Sequence, residues 1–210
     1  MTAHRDERGQ AATLLIMGPP GAGKGTQAKA VAGRLGVPAI STGDMFRALQ
    51  HAATPLAEKV RGIMAAGGYV DDETTNAIVT DRLAAADCAG GFLLDGYPRT
   101  LSQVAYLDAL LAASGHRLGA VLSLQADDDE VVTRLVARGR QSGRSDDTAA
   151  TIRTRLAVYR EQTAPLLDAY AARGLLLPVD GMGAVDVVAA RITRALHAQP
   201  ALGSLTSTTP

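Results

Sequence analysis

Nine consecutive residues, Gly18-Pro19-Pro20-Gly21-Ala22-Gly23-Lys24-Gly25-Thr26, constrain this chain more than any other feature. They follow the apolar run Thr13-Leu14-Leu15-Ile16-Met17, which reads as a buried strand. They precede Ala28, Val31, Ala32 and Leu35, which recur at helical spacing until Gly36 supplies a stop. A glycine-rich turn between strand and helix, closed by a lysine, satisfies G-x-x-x-x-G-K in the context that gives the motif meaning. Glycine lets successive backbone N–H groups turn inward around phosphate oxygens, where side chains would collide. The helix start adds unpaired N–H groups and a partial positive charge. Lys24 is expected to extend over the terminal phosphates of a nucleoside triphosphate. Gly25 stands where the stricter pattern has Ser or Thr. That argues against direct hydroxyl coordination of magnesium and leaves the phosphate cradle intact.

Further short apolar runs follow at 37–40, 92–94, 120–124 and 175–179, separated by helical patterns such as Val104, Leu107 and Leu111, or Val188, Ile192 and Leu196. Buried strands alternating with amphipathic helices predict an α/β fold with a mostly parallel sheet covered on both faces. Ligands of such sheets bind beyond the carboxyl ends of the strands, so the informative residues should follow Met17, Ile40, Leu94 and Leu124. Asp95, at the end of Phe92-Leu93-Leu94, is then a carboxylate beside the phosphate loop, able to hold magnesium directly or through its waters. A length of 210 residues suits a single domain, expected over 12–198, with disordered tails at 1–11 and 199–210.

Charge narrows the function classes. Lys+Arg and Asp+Glu both number 21, so neither a globally basic nucleic-acid binder nor a polybasic membrane protein is expected. Lys24, Lys29 and Lys59 are the only lysines and the remaining basic residues are arginine, whose planar fork suits phosphate. The sole cysteine, Cys88, rules out an internal disulfide and multi-cysteine zinc or iron–sulfur sites, and is expected to lie inert in the core. No run approaches the ~18 apolar residues of a spanning helix. His4, His51, His116 and His197 lie outside the motifs and are expected at the surface, which weakens hydrolase triads and histidine–metal sites. A cytoplasmic monomer is the expectation.

From Leu14 to Leu196 the residues closely resemble the adenylate kinases, within the nucleoside monophosphate kinases. The phosphate loop through Gln27 matches, including Gly25. Ser41-Thr42-Gly43-Asp44-Met45-Phe46-Arg47 resembles the family's monophosphate-site segment. Asp95-Gly96-Tyr97-Pro98-Arg99-Thr100, with Gln103, matches its most specific signature, with Tyr97 where many members have phenylalanine. Arg144-Ser145-Asp146-Asp147, then Arg155, resembles the closing lid and the helix after it.

The resemblance implies a P-loop kinase core with a five-stranded parallel sheet, a helical monophosphate-binding insertion at about 41–70, and a short lid at about 139–147. It implies the reaction ATP + AMP ⇌ 2 ADP. Gly21, Ala22, Gly23, Lys24, Gly25 and Thr26, with Arg134 and Arg138, would bind ATP. Arg47 and Arg99 would grip the phosphate of AMP, with Arg144 and Arg155 beside it. Thr42, Gln103 and the backbone around Tyr69 and Val70 would recognise adenine, and Gly96 would lie against AMP. Lys24, Arg99, Arg134, Arg138, Arg144 and Arg155 would carry the catalysis. Asp95 would organise the hydration shell of magnesium. The lid holds no cysteine, so no structural zinc is expected, and Asp71 is assigned no role.

Spacing supports part of this independently. Arg134 and Arg138, four apart on a helix with core residues Val131, Val132, Leu135 and Val136, emerge together and can face one ligand. Arg153 and Arg155, two apart, point in different directions, so at most one serves the site; Arg140, Arg153 and Arg160 read as a solvated face. Asp147 or Ser145 is expected to cap a helix running towards Leu167. Two other functions stay open at this point. A uridylate/cytidylate kinase would share the phosphate machinery. A non-catalytic nucleotide-binding switch would have no use for the Arg47/Arg99 pair. A dinucleotide oxidoreductase fails on the G-x-G-x-x-G spacing.

Overall fold

The computed structural model describes residues 11–142 and 147–199. Residues 1–10 and 200–210 of the expected tails, together with Arg144 and Ser145 of the expected lid, lie outside the described residues. Strand β1 (Ala11–Met17) runs through the phosphate loop into α1 (Lys24–Leu35). Then come β2 (Ala39–Ser41), α2 (Thr42–Leu49), α3 (Pro55–Ala65), α4 (Asp72–Leu83) and β3 (Phe92–Asp95). The chain continues through α5 (Leu101–Ala113), β4 (His116–Gln125), α6 (Asp128–Ser142) and α7 (Ala149–Val158). A π-helical turn (Tyr159–Thr163) leads to α8 (Pro165–Ala172), β5 (Leu176–Asp180) and α9 (Val185–His197).

The five strands form one parallel sheet in the order β2-β3-β1-β4-β5. Each expected strand is present. β4 starts earlier than its apolar run, at His116, and Ala11 pairs with His116 one residue inside the expected tail. Because side chains alternate across the sheet, Leu14, Ile16, Leu93 and Leu122 pack on α1 and α9, whereas Leu15, Leu94 and Val121 pack on α4, α5 and α8. Truncating one of these fully buried leucines to alanine costs ~2–5 kcal/mol.

Strands β1 and β3 are neighbours, yet their following helices cover opposite faces of the sheet. A crevice therefore opens between their carboxyl ends, the place where open parallel sheets bind ligands. Two small satellite cores flank it. Phe46, Val60 and Val70 hold the α2–α3 insertion together, and Val131, Leu135, Ile152 and Leu156 join α6 to α7.

Local signals set the boundaries. Gly36 ends α1 with φ 66°, a left-handed conformation that only glycine adopts without strain. Thr54 caps α3 ahead of Pro55, and Thr100 caps α5. The expected cap on α7 is corrected: Thr148, not Asp147, accepts from the N–H of Thr151 at 3.2 Å. The helix towards Leu167 is also interrupted, because Pro165 has no N–H to continue the ladder; Ala164 reaches back to the Tyr159 carbonyl instead.

His116 is corrected too. It is half-buried, tilted against Phe92 at 5.3 Å and within 3.0 Å of both the Cys88 carbonyl and the Ser114 hydroxyl, since it begins a central strand. Cys88 is free and buried, and burial pushes its thiol up from its usual value. Among the described residues no helix is long and apolar enough to cross a membrane.

Candidate active site

The phosphate loop closes over the carboxyl end of β1. Gly18 has φ 141°, and a Cβ there would stand 2.5 Å from the Leu124 carbonyl, so only glycine fits against β4. Gly23 is the cap position of α1 at φ 88° and brings no side-chain cap. The backbone ladder starts only with the Gln27 N–H to the Gly23 carbonyl, so among the described residues the first-turn N–H groups ahead of it are left for an anion. Gly21, Gly23, Gly25 and Thr26 line the cleft here, while the Ala22 methyl packs into the core.

Lys24 folds back over the loop, its Nζ donating to the carbonyls of Gly18 and Pro19, both at 2.8 Å. Burial lowers its pKa to about 8, against the attraction of Asp95 and with the repulsion of Arg99, Arg155 and Arg138. Asp95, at the end of β3, is 9% exposed, and burial holds its carboxyl above the usual value despite Lys24 and Arg99. A Cβ at Gly25 would lie 3.5 Å from Asp95 Oδ2, so the helix start and the carboxylate share one floor. Desolvation outweighs the attraction of Lys24, Arg99 and Arg47 here, so the carboxylate gains from further positive charge brought into the cleft. Among the described residues, however, no group of three or more His, Cys, Asp or Glu could hold a metal ion unaided. Asp95 is the carboxylate on this floor that would hold magnesium arriving on nucleotide phosphates.

Two cavities meet in the cleft. The larger, about 620 Å³, runs from the phosphate loop to α6 and is lined by Arg134 and Arg138 among others. The smaller, about 110 Å³, lies against the α2–α3 insertion and is lined by Phe46, Met64, Tyr69 and Val70. Lys24, Arg47, Gly96, Arg99 and Arg155 line both. Arg153, Arg140 and Arg160 are exposed, as the spacing predicts.

The arginines are held in place by neighbours. Arg47 pairs with Asp44 at 2.5 Å, and Arg134 Nε with Glu130 at 2.8 Å. Arg138 and Arg155 both bind Asp147, whose side chain is fully buried. Arg99 Nε donates to the Gly96 carbonyl at 2.8 Å. Gly96 needs its φ of 83°, and a Cβ there would meet the Thr42 hydroxyl at 2.7 Å.

Thr42 and Gln103 line neither cavity. The Thr42 hydroxyl donates to the Gly96 carbonyl at 2.8 Å. Gln103 accepts from the Arg99 N–H at 2.7 Å and donates to Asp72 at 2.7 Å. In this conformation both support the wall behind the cleft. Tyr97 is buried, and its hydroxyl donates to Asn76 at 2.6 Å, a bond that phenylalanine would not make. Arg144 lies outside the described residues.

Sequence reasoning missed Asp147 as the partner of two arginines, Asp72 as the anchor of Gln103, and Phe46 and Met64 as cavity lining. Asp147 was legible only as a candidate cap, and Phe46 and Met64 look like any core residue. Asp71 caps α4 and pairs with Lys59 at 2.7 Å, which holds its carboxyl below the usual range.

A family model described as adenylate kinase matches residues 16–175. The chain belongs to the adenylate kinase family. Among proteins of the family, it is 55% identical to an adenylate kinase of Leifsonia xyli subsp. xyli over 183 residues, 87% of this chain and 92% of the relative. Against an adenylate kinase of Clavibacter michiganensis subsp. michiganensis the identity is 56% over the same shares. With that of Nocardioides sp. it is 54% over 187 residues, 89% of this chain and 98% of the relative. Family membership makes the chain a nucleotide phosphotransferase and supports the adenylate reading over the pyrimidine-kinase and switch alternatives.

Proposed function

We propose that this chain moves the terminal phosphoryl group of ATP to AMP, reversibly, giving two ADP. One observation carries the proposal: two cavities meet at Lys24, Arg47, Arg99 and Arg155, so one nucleotide in each would place its phosphates at the junction. The donor lies along the phosphate loop, cradled by residues 21–26 and flanked by Arg134 and Arg138. The acceptor phosphate lies between Arg47 and Arg99, with its base towards Phe46, Met64 and Val70. Arg155, which lines both cavities, faces both phosphates, and the resemblance adds Arg144 to this group. Adenine recognition by Thr42 and Gln103 requires those side chains to exchange a protein partner for the base.

An ionised phosphate oxygen is itself the nucleophile, so no general base is needed. Catalysis rests on in-line alignment and on neutralising charge over the group in flight. Lys24 must leave the Gly18 and Pro19 carbonyls to reach the phosphates. Phosphates arriving between Arg138 and Arg155 compete with Asp147 for those guanidinium groups. Water must be kept from the reacting phosphates, or the donor would be hydrolysed; the resemblance assigns that task to a short lid at about 139–147. Asp95 would hold, through water, the magnesium that arrives with ATP, and the ion would supply charge neutralisation.

The proposal extends to a cytoplasmic monomer. The free thiol of Cys88 fits a reducing compartment, and among the described residues the exposed large apolar side chains spread over three helices with at most two on any one. The test is ADP formation from ATP, AMP and magnesium by the purified chain. In Lys24→Met, kcat is expected to fall by about two to three orders of magnitude with little change in thermal midpoint. Near-normal turnover in that variant contradicts the proposal.

A further inference from the structure

The ring of Tyr69 lies under Arg99, with the guanidinium carbon 4.5 Å from the ring centroid. Arg99 is held at three other points. Its Nε donates to the Gly96 carbonyl at 2.8 Å, its N–H donates to Gln103 Oε1 at 2.7 Å, and its carbonyl accepts from the Thr163 hydroxyl at 3.0 Å. The Thr163 hydroxyl also lies 3.0 Å from the Tyr69 hydroxyl. A hydroxyl has one hydrogen to give, so with Thr163 donating to Arg99, Tyr69 donates to Thr163. Tyr69 thus grips Arg99 twice, through its ring at the side chain and through Thr163 at the backbone. Among the described residues the two terminal nitrogens of Arg99 make no hydrogen bond, and Arg99 lines both cavities.

We infer that the Tyr69 side chain is a positioning residue for the acceptor phosphate: ring and hydroxyl together hold the Arg99 guanidinium in place before the nucleotide arrives. An arginine ordered in advance loses less rotamer freedom on gripping an anion, and a guanidinium stacked on a ring keeps its terminal nitrogens available for phosphate. Tyr69 also joins three segments of chain, the end of the α2–α3 insertion, the Asp95–Thr100 loop and the π-helical turn, at one wall of the acceptor cavity. The inference rests on the acceptor role of Arg99 proposed above and adds a side chain to which that role assigns nothing.

The test compares wild type, Tyr69→Phe, Tyr69→Leu, Arg99→Lys and the Tyr69→Leu/Arg99→Lys double variant. AMP affinity is read by calorimetry without ATP, and KM for each nucleotide by steady-state kinetics. Tyr69→Leu is expected to weaken AMP binding about 3- to 30-fold, the range spanned by a guanidinium–ring contact, with KM for ATP changed less than about twofold. Tyr69→Phe keeps the ring and loses only the tether, and should retain AMP affinity within about threefold. In the Arg99→Lys background, Tyr69→Leu should have a smaller effect, because an ammonium lacks the planar stacking of the guanidinium on the ring.

Unchanged AMP affinity in Tyr69→Leu, equal losses for both nucleotides, a Tyr69→Phe variant as weak as Tyr69→Leu, or a full Tyr69→Leu effect in the Arg99→Lys background each overturns the inference. A wild type that binds AMP but forms no ADP overturns the proposed reaction, while the affinities still decide the role of Tyr69. A wild type that binds no AMP overturns both.

Discussion

The carboxylate of Asp147 takes both prongs of Arg138, Nε at 2.7 Å and Nη2 at 2.8 Å. Arg155 donates to the same carboxylate at 2.9 Å, so one buried anion gathers two cations from different helices, both lining the larger cavity. Arginines brought together for phosphate repel one another when the cleft is empty, and Asp147 offsets that repulsion. Replacing Asp147 with Asn keeps the shape and removes the charge. Stability at neutral pH is expected to fall by ~1–3 kcal/mol, read as a lower urea midpoint at unchanged slope. An unchanged midpoint would mean that Asp147 does not set the arrangement.

Lys24 gives a pH signature. Its pKa in the free protein is lowered to about 8 because burial disfavours the ammonium. The folded state holds this proton less tightly than the unfolded chain, so the contribution of Lys24 to stability improves as pH rises from about 8 towards 10.5. Activity moves the other way: kcat/KM for ATP should decline above about pH 8 as the charge is lost from the free enzyme. The decline in kcat should set in at higher pH, since bound phosphates favour the ammonium. Coincident profiles for kcat and kcat/KM would contradict this role.

The acceptor role proposed for Arg99 can be read from the two nucleotides separately. Arg99→Ala removes a charged fork on the acceptor side while leaving the phosphate loop intact. KM for AMP should rise about tenfold or more, the scale of a lost hydrogen bond to a charged group, with KM for ATP within about threefold. Equal losses for both nucleotides would contradict the assignment.

Much of the fold was legible because its signals are local. Buried parallel strands read as apolar runs, and Gly36 marked the end of α1 where the backbone turns left-handed. The phosphate loop was legible because its glycines answer a steric demand, such as Gly18 against β4. Contacts set by tertiary packing were not legible. Asp147 and Thr148 are adjacent polar residues before a helix, and only the fold decides that Thr148 caps while Asp147 turns inward to Arg138 and Arg155. Likewise the register of β4 begins at His116, which carries that ring against Phe92 instead of to the surface. Tyr69 carried no side-chain signal in the sequence, since Arg99 and Thr163 reach it from distant parts of the chain.

The central claim is that the arginine-lined cleft aligns a triphosphate with a monophosphate for direct transfer. Its most direct measurement is a panel of AMP, UMP, CMP and GMP, each supplied with ATP and magnesium and followed for the matching diphosphate. The account predicts that AMP leads the panel and that two ADP appear for each ATP consumed. Slow hydrolysis of ATP with no diphosphate formed from any of the four acceptors would contradict it.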